Sequence, residues 1–250
     1  MAEPIVMSEM TWMEVDEALK ERPVALVPVG SIQAHGPHLP LSTDAVIATE
    51  MARRGAKKLK AHGVNALILP PVVFSVAEWG AGFAGTLNLP AETVQLLLRD
   101  VCLAAAKRFR CVGVATVHLE PVQLECVRKA VDEANKTAAS VCWADVTKKR
   151  WAQLLGATFA LGDHAGAWET SVMMAAAPEL VRERERARLS PIDGFAAGLK
   201  KGAKTFEEAG GEDAFFGDPT VATVEDGNKA LEALGEVLSV SVMEQLGSKR

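Results

Sequence analysis

At 250 residues, with 49% hydrophobic and 24% charged side chains, the chain has the make-up of one large globular domain spanning 1–250, or of one domain with a small appendage. A chain of this length buries about three-quarters of the surface its unfolded form exposes, so folding requires neither disulfides nor a structural metal. The net charge of -5, with no basic stripe and no interleaved aromatics, excludes the electrostatic footprint of a nucleic-acid-binding protein.

Residues 1–21 mix Glu, Asp and Met with no basic start and apolar block, the pattern expected of a cytoplasmic chain. Short β-branched runs then alternate with longer amphipathic stretches. The pattern predicts a strand at 24–29, a helix at 44–61 with Ser42 or Thr43 as N-cap, and a strand at 64–69. The longest apolar stretch, 64–77, is broken by Asn65 and Pro70-Pro71 and is shorter than the roughly 20 residues of a membrane helix. A helix at 91–108 behind Pro90, a strand at 111–117, a helix at 121–134 and a strand at 138–144 follow. This β-α-β alternation predicts an α/β fold with a mainly parallel sheet covered by helices on both faces. Further on, 170–177 reads as a helix closed by Pro178, 182–188 as a solvated charge run, 194–218 as a Gly- and charge-rich loop or flap, and 220–246 as helical. Cys102, Cys111, Cys126 and Cys142 are widely spaced among apolar neighbours and read as reduced core residues.

Histidine placement carries the chemistry. Of five histidines, His62 sits at a predicted helix end, where the helix dipole favours it, while His35, His38, His118 and His164 lie in Gly- or acid-containing segments. His35 and Asp44 fall in the turn after the first strand, which in a parallel sheet opens at the carboxyl edge where ligands bind. His118 and Glu120 fall at the carboxyl end of a later strand, two residues apart and so on one side of an extended segment. A His-x-Glu pair meeting a His and an Asp forms a borderline N/O donor set suited to Zn²⁺ or Mn²⁺. A second cluster, His164 with Glu169, reads either as helix capping or as a general acid/base beside such a site. Trp79, Trp143 and Trp168, with the 194–218 segment, are candidates to shape the pocket.

At these residues the sequence resembles the creatininase family of amidohydrolases. Residues 30–44 match its opening motif G-S-x-E-x-H-G-x-H-L-P-x-x-T-D nearly throughout. Phe83-Ala84-Gly85-Thr86 is similar to F-P-G-T, His118-x-Glu120 to the H-x-E of creatininase, and 164–171 to H-A-G-x-x-E-T-S. Gly217-Asp218-Pro219 is similar to the closing motif. The resemblance implies a three-layer α/β/α sandwich, usually a homo-oligomer, acting on a small-molecule substrate with one or two divalent ions per chain: Zn²⁺, Mn²⁺ or Fe²⁺. Asp44 would bridge two metals, His35 and Glu120 would complete one site, and His118 would belong to the other with Gln33. Glu169 is a further candidate ligand. His164 would transfer the proton, with Glu120 beside it in the catalytic set, and Ser75, Leu119 and Trp168 would contact substrate.

The departures are specific. Gln33 replaces a glutamate, Glu78-Trp79 an E-H pair, Ala84 a proline, Thr116 an asparagine, Leu119 the tyrosine of creatininase, and Ala160-Leu161 a Trp-Asp pair. The expected activity is therefore C–N hydrolysis of a small cyclic amide or formamide by metal-activated water, with creatinine itself disfavoured. Hydrolytic opening of a small cyclic ketone, or a non-catalytic ligand-binding or structural subunit, are the alternatives.

Overall fold

The computed structural model describes residues 5–137, 139–160 and 163–247. Ala138, where the last predicted strand was to begin, and Leu161 and Gly162 of the predicted site segment lie outside the described residues. In chain order the elements are β1 (Ile5–Val6), α1 (Trp12–Leu19), β2 (Val24–Val29), α2 (Thr43–Ala61), β3 (Ala66–Ile68), α3 (Ala91–Ala106), β4 (Val112–Thr116), α4 (Pro121–Asn135) and β5 (Val141–Trp143). The short helices α5 (Ala152–Leu155) and α6 (Ala157–Ala160) lead to α7 (Ala167–Ala176), α8 (Glu183–Arg186), α9 (Phe195–Lys200) and the long α10 (Val224–Gly247).

All five strands are parallel, in the order β1-β3-β2-β4-β5. β2 is central, every residue of it is buried, and its alternation divides the core in two. Val24 and Leu26 face the apolar layer shared with α2, α7 and α10, and Ala25, Val27 and Val29 face the layer made with α3 and α4. The sheet is thus sandwiched between helical layers, as the alternation predicted. Each fully buried Leu, Ile or Met here, such as Leu26, Ile47 and Met51, is worth about 1.5–3 kcal/mol of transfer energy. Because the chain leaves β2 toward β3 and leaves β4 toward β5, in opposite directions, a crevice opens at the carboxyl ends of β2 and β4.

Several expectations need correction. β3 and β5 are each three residues long, shorter than the predicted strands; they end before their neighbours β2 and β4 do, and β3 is followed by Pro70-Pro71, which lack the N–H that a ladder needs. Neither Ser42 nor Thr43 caps α2 with its side chain: Ser42 (φ -87°, ψ 9°) makes no capping bond, and Thr43 Oγ1 donates backward to Pro40 O at 2.7 Å. The 182–188 run is only partly a solvated face, because Arg186 folds inward and donates to the carbonyls of Pro219 and Thr220. The 194–218 segment is more than the loop or flap expected: it contains α9 and buries Phe195, Phe206, Phe215 and Phe216. β1 and α1 were not predicted. α1 is closed by a capping box, with Glu14 N–H bonding Thr11 Oγ1 and Thr11 N–H bonding the Glu14 carboxylate.

One close contact positions the site. α2 begins directly against the end of β2, and a Cβ on Gly30 would lie 2.4 Å from Ala45 N and 2.6 Å from Ala45 Cα. Gly30→Ala is expected to lower stability by about 1–3 kcal/mol through this backbone clash, measured as a lower urea midpoint with an unchanged m-value. An unshifted midpoint would mean that α2 withdraws from the sheet freely.

Candidate active site

The loop after β2 brings His35 to the crevice, and the first turn of α2 brings Asp44 beneath it. The His35 ring is oriented by its own loop: Nδ1–H donates to Gln33 O at 2.9 Å, so Nε2 faces Asp44 Oδ1 at 3.5 Å. The end of β4 does the same from the other side. His118 Nε2–H donates to Val76 O at 2.7 Å, which turns Nδ1 toward Asp44 Oδ2 at 3.3 Å. Two imidazoles whose outer protons are held by backbone carbonyls thus flank one carboxylate that is 1% exposed. Glu120 lies beside them, its Oε1 accepting the Glu78 N–H at 3.0 Å and its Oε2 buried without a partner. Gln33 Oε1, His35 Nε2 and Asp44 Oδ2 are likewise buried and make no hydrogen bond, the last two meeting only ion-pair neighbours.

His164 closes the arrangement from the segment before α7. Its Nε2–H donates to Ala34 O at 2.8 Å, its ring centroid lies 4.4 Å from that of His35, and it stacks on Phe206 at 4.2 Å. Glu169, in the first turn of α7, accepts the Ala165 N–H at 2.6 Å. One ligand atom from each of His35, His164 and Glu169 lie within 4.8 Å of one another. His38, by contrast, points away, bonding Thr170 Oγ1 at 2.9 Å and packing edge-on against Phe215.

The charges follow from this packing. Burial disfavours a charged His35, but Asp44, helped by Glu169, outweighs it and raises the imidazole to about 9. Burial opposes ionisation of Asp44 as well, yet His35 and His118 bring it down to about 2. Burial, reinforced by His35, pushes His164 well below the usual histidine range, so it is a neutral base at pH 7. Burial raises both Glu120 and Glu169. The cluster therefore demands positive charge beside Asp44, supplied either by a proton on His35 or by a cation between the ligand atoms.

Above these groups is a cavity of about 320 Å³, at the small end of organic-ligand pockets, which span about 300–1,000 Å³. Gln33, Asp44, His118, Glu120, His164 and Glu169 line its polar side. Trp79, Leu119, Phe159, Trp168, Phe195 and Phe206 line the rest. Leu119 and Trp168, expected from the sequence to contact substrate, both line this cavity. Ser75 is completely buried, with its hydroxyl unpartnered, and is not on the cavity wall, because its backbone bridges Asn88 beneath the loop. Trp143 is also absent from the lining. The 194–218 segment, expected to shape the pocket, contributes Phe195, Leu199 and Phe206 to the lining, whereas sequence reasoning missed Phe159 and Asp163, which line it too. A usable signal for the burial of 194–218 existed in the sequence: four of the chain's eight phenylalanines fall there, too many for an exposed loop.

Comparison with known proteins agrees with this geometry. The model of the creatininase family, described as creatinine amidohydrolase, matches residues 8–242. The chain belongs to the creatininase family. Among relatives in this family, a mycofactocin precursor peptide peptidase of Mycobacterium ulcerans (strain Agy99) is 30% identical over 83% of this chain and 79% of its own length. A creatinine amidohydrolase of Pseudomonas putida is 26% identical over 85% and 92%. The solved structure described as "Creatininase Mn" superposes with a TM-score of 0.73 at 21% identity, covering 97% of this chain and 99% of that one. A Zn-Zn form of a creatininase mutant gives 0.71 at 20%, covering 98% and 99%. Creatininase-family proteins are hydrolases of amide bonds, and this chain shares their three-layer fold. Among the described residues no helix is long and apolar enough to cross a membrane.

The raised His35 has a consequence for pH dependence. The folded protein holds a proton there that the unfolded chain releases near 6.5, so the associated stability is full below about pH 6.5 and is lost as pH rises through about 9. Chelator-treated protein is expected to melt at progressively lower temperature across that window, and Zn²⁺-saturated protein is not, because an ion would replace the proton. Equal slopes in the two melting series would mean that His35 does not carry the compensating charge.

Proposed function

We propose that this protein is a metal-dependent hydrolase that cleaves the C–N bond of a small amide or formamide. The observation that carries the proposal is the buried Asp44 carboxylate, faced from opposite sides by His35 Nε2 and His118 Nδ1, with Gln33 Oε1 and Glu120 Oε2 unpartnered on the cavity floor. Burying that many polar atoms without partners would be costly, so the donor set fits a borderline divalent ion such as Zn²⁺ or Mn²⁺. Asp44, His35 and Glu120 would hold one ion, and His118 with Gln33 would serve a second. When bound, such an ion polarises a carbonyl oxygen and acidifies water.

The protein's own groups supply the remainder. The backbone carbonyls of Gln33 and Val76 fix the tautomers of His35 and His118, so no reorientation is needed when substrate arrives. With Nε2–H committed to Ala34 O, His164 exposes Nδ1 as its only free basic atom. Its depressed pKa lets it accept a proton at neutral pH and then deliver that proton to the leaving nitrogen. Leu119 presents no hydrogen-bonding group to the cavity, in keeping with a substrate other than creatinine.

A second reading has an observation of its own. The mutual proximity of His35, His164 and Glu169 would let these three form an ion site, in which case His164 would be a ligand and could not carry the proton. Elemental analysis separates the two. On the first reading Asp44→Asn and His35→Ala lose the ion, whereas His164→Ala keeps it and loses about 10²–10⁴-fold in kcat. Loss of the ion from His164→Ala would establish the second. Gln33→Glu should raise the stoichiometry toward two ions per chain, and an unchanged content would show that Gln33 does not limit occupancy.

A further inference from the structure

Part of the cavity's apolar side, Phe195, Leu199 and Phe206, comes from the segment the sequence marked as a loop, and it meets the proton-transfer candidate directly. Phe206 stacks on the His164 ring with centroids 4.2 Å apart and planes 21° apart. Trp79 stands edge-on to Phe195 at 5.3 Å and to Phe206 at 6.3 Å, and Phe195 lies 6.0 Å from Phe206. All three rings line the cavity. The slot is also firmly seated: Phe206 N–H donates to Trp79 O at 2.9 Å, and Phe216 N–H donates to His164 O at 2.7 Å.

Charge narrows the occupant further. Four acidic side chains line the cavity, Asp44, Asp163, Glu120 and Glu169, and among the described residues no lysine or arginine does; with Asp44 and Glu120 matched by the ion they would hold, Asp163 and Glu169 are the acids left to face a substrate. Asp163 is part-buried, and among the described residues it forms no salt bridge; burial and Asp193 raise its pKa. A carboxylate, sulfonate or phosphate on the substrate would find repulsion on this side.

We propose that the slot of Trp79, Phe195 and Phe206 receives the amine half of the scissile amide, and that this amine carries an aromatic ring and no negative charge. This rests on His164 serving the leaving nitrogen: the group that departs beside His164 lies against the ring stacked on it. Water supplies OH to the acyl carbon and H to the nitrogen, so the products are a carboxylic acid and a free arylalkylamine, and no other reactant is needed.

Binding of product amines tests the slot without requiring turnover. Calorimetric titration of the Zn²⁺-loaded protein with benzylamine, butylamine and 4-(aminomethyl)benzenesulfonate compares compounds that present the same amino group. Benzylamine is expected to bind about ten-fold more tightly than either of the others, the scale of one or two aromatic contacts. Trp79→Ala should reduce benzylamine to the affinity of butylamine, and Trp79→Leu, which keeps apolar volume but removes the ring, should do the same. Equal affinity for benzylamine and butylamine, no loss on sulfonation, or no binding of any amine overturns the proposal. Turnover of N-formylbenzylamine against N-formylbutylamine, run in parallel, isolates the reaction. No hydrolysis of either with the binding preference intact removes the formamide-hydrolase function and leaves the slot, whereas hydrolysis of both without preference does the reverse.

Discussion

The buried charge of Asp44 is the constraint on which the rest of this site depends. A carboxylate 1% exposed is tolerable only if something positive or hydrogen-bonding meets it, and the fold supplies that from three directions. The start of α2 offers the positive end of a helix dipole, the β2 loop offers His35, and the end of β4 offers His118. None of these would reach it without the close seating of α2 on Gly30, which ties the helix start to the strand end. Sheet order matters for the same reason. β2 and β4 are hydrogen-bonded neighbours although far apart in sequence, so two loops some eighty residues apart can address one carboxylate.

The second determinant is the wall above that floor. Two of its five Trp and Phe rings, Phe195 and Phe206, come from 194–218, which is held by backbone hydrogen bonds to Trp79, to His164 and, through Ala214 O, to Gly36. Those anchors attach it to the same loops that carry the polar residues, so wall and floor are positioned together. A largely apolar wall also lowers the local dielectric, strengthening the interactions of Asp44 with its neighbours and holding His164 neutral. The low basicity of one histidine and the high basicity of the other therefore have a common origin: both are buried, but only His35 touches the carboxylate.

Much of this was legible in the sequence because the chemistry is local. The motif at 30–44 holds His35 and Asp44 within ten residues, and His118 and Glu120 are two apart, so strand ends alone brought them to one edge. The alternation of elements likewise fixed a sandwiched parallel sheet. What escaped was non-local or too short to show a period. β1 has two residues, too few to show a period, and among the described residues pairs with β3 alone; α1 does carry an apolar stripe, Val15, Ala18 and Leu19, packed against the core, but it is only eight residues long and none of them is fully buried. The 194–218 segment hides its phenylalanines among glycines and charges, because they pack onto loops distant in sequence and not along one helical face. Ser75 was placed by its neighbours in the chain, but its backbone bridge to Asn88 turns it under the loop, out of the cavity.

Gln33 shows how this family site is adjusted. The side chain is 1% exposed and wedged against Gly80, where a Cβ would lie 2.9 Å from Gln33 Cγ, so the amide has little room to move. A glutamate in that slot would add another buried negative charge to a floor that already holds Asp44, Glu120 and Glu169, all within a largely apolar enclosure. On the proposed function, such a floor would call for more than one cation. The amide keeps the oxygen donor and removes the charge, so the floor can be balanced by one divalent ion, or by a proton on His35 when no ion is bound. A single substitution that preserves shape thus changes how much positive charge the pocket requires, while the histidine tautomers and the aromatic wall are fixed elsewhere.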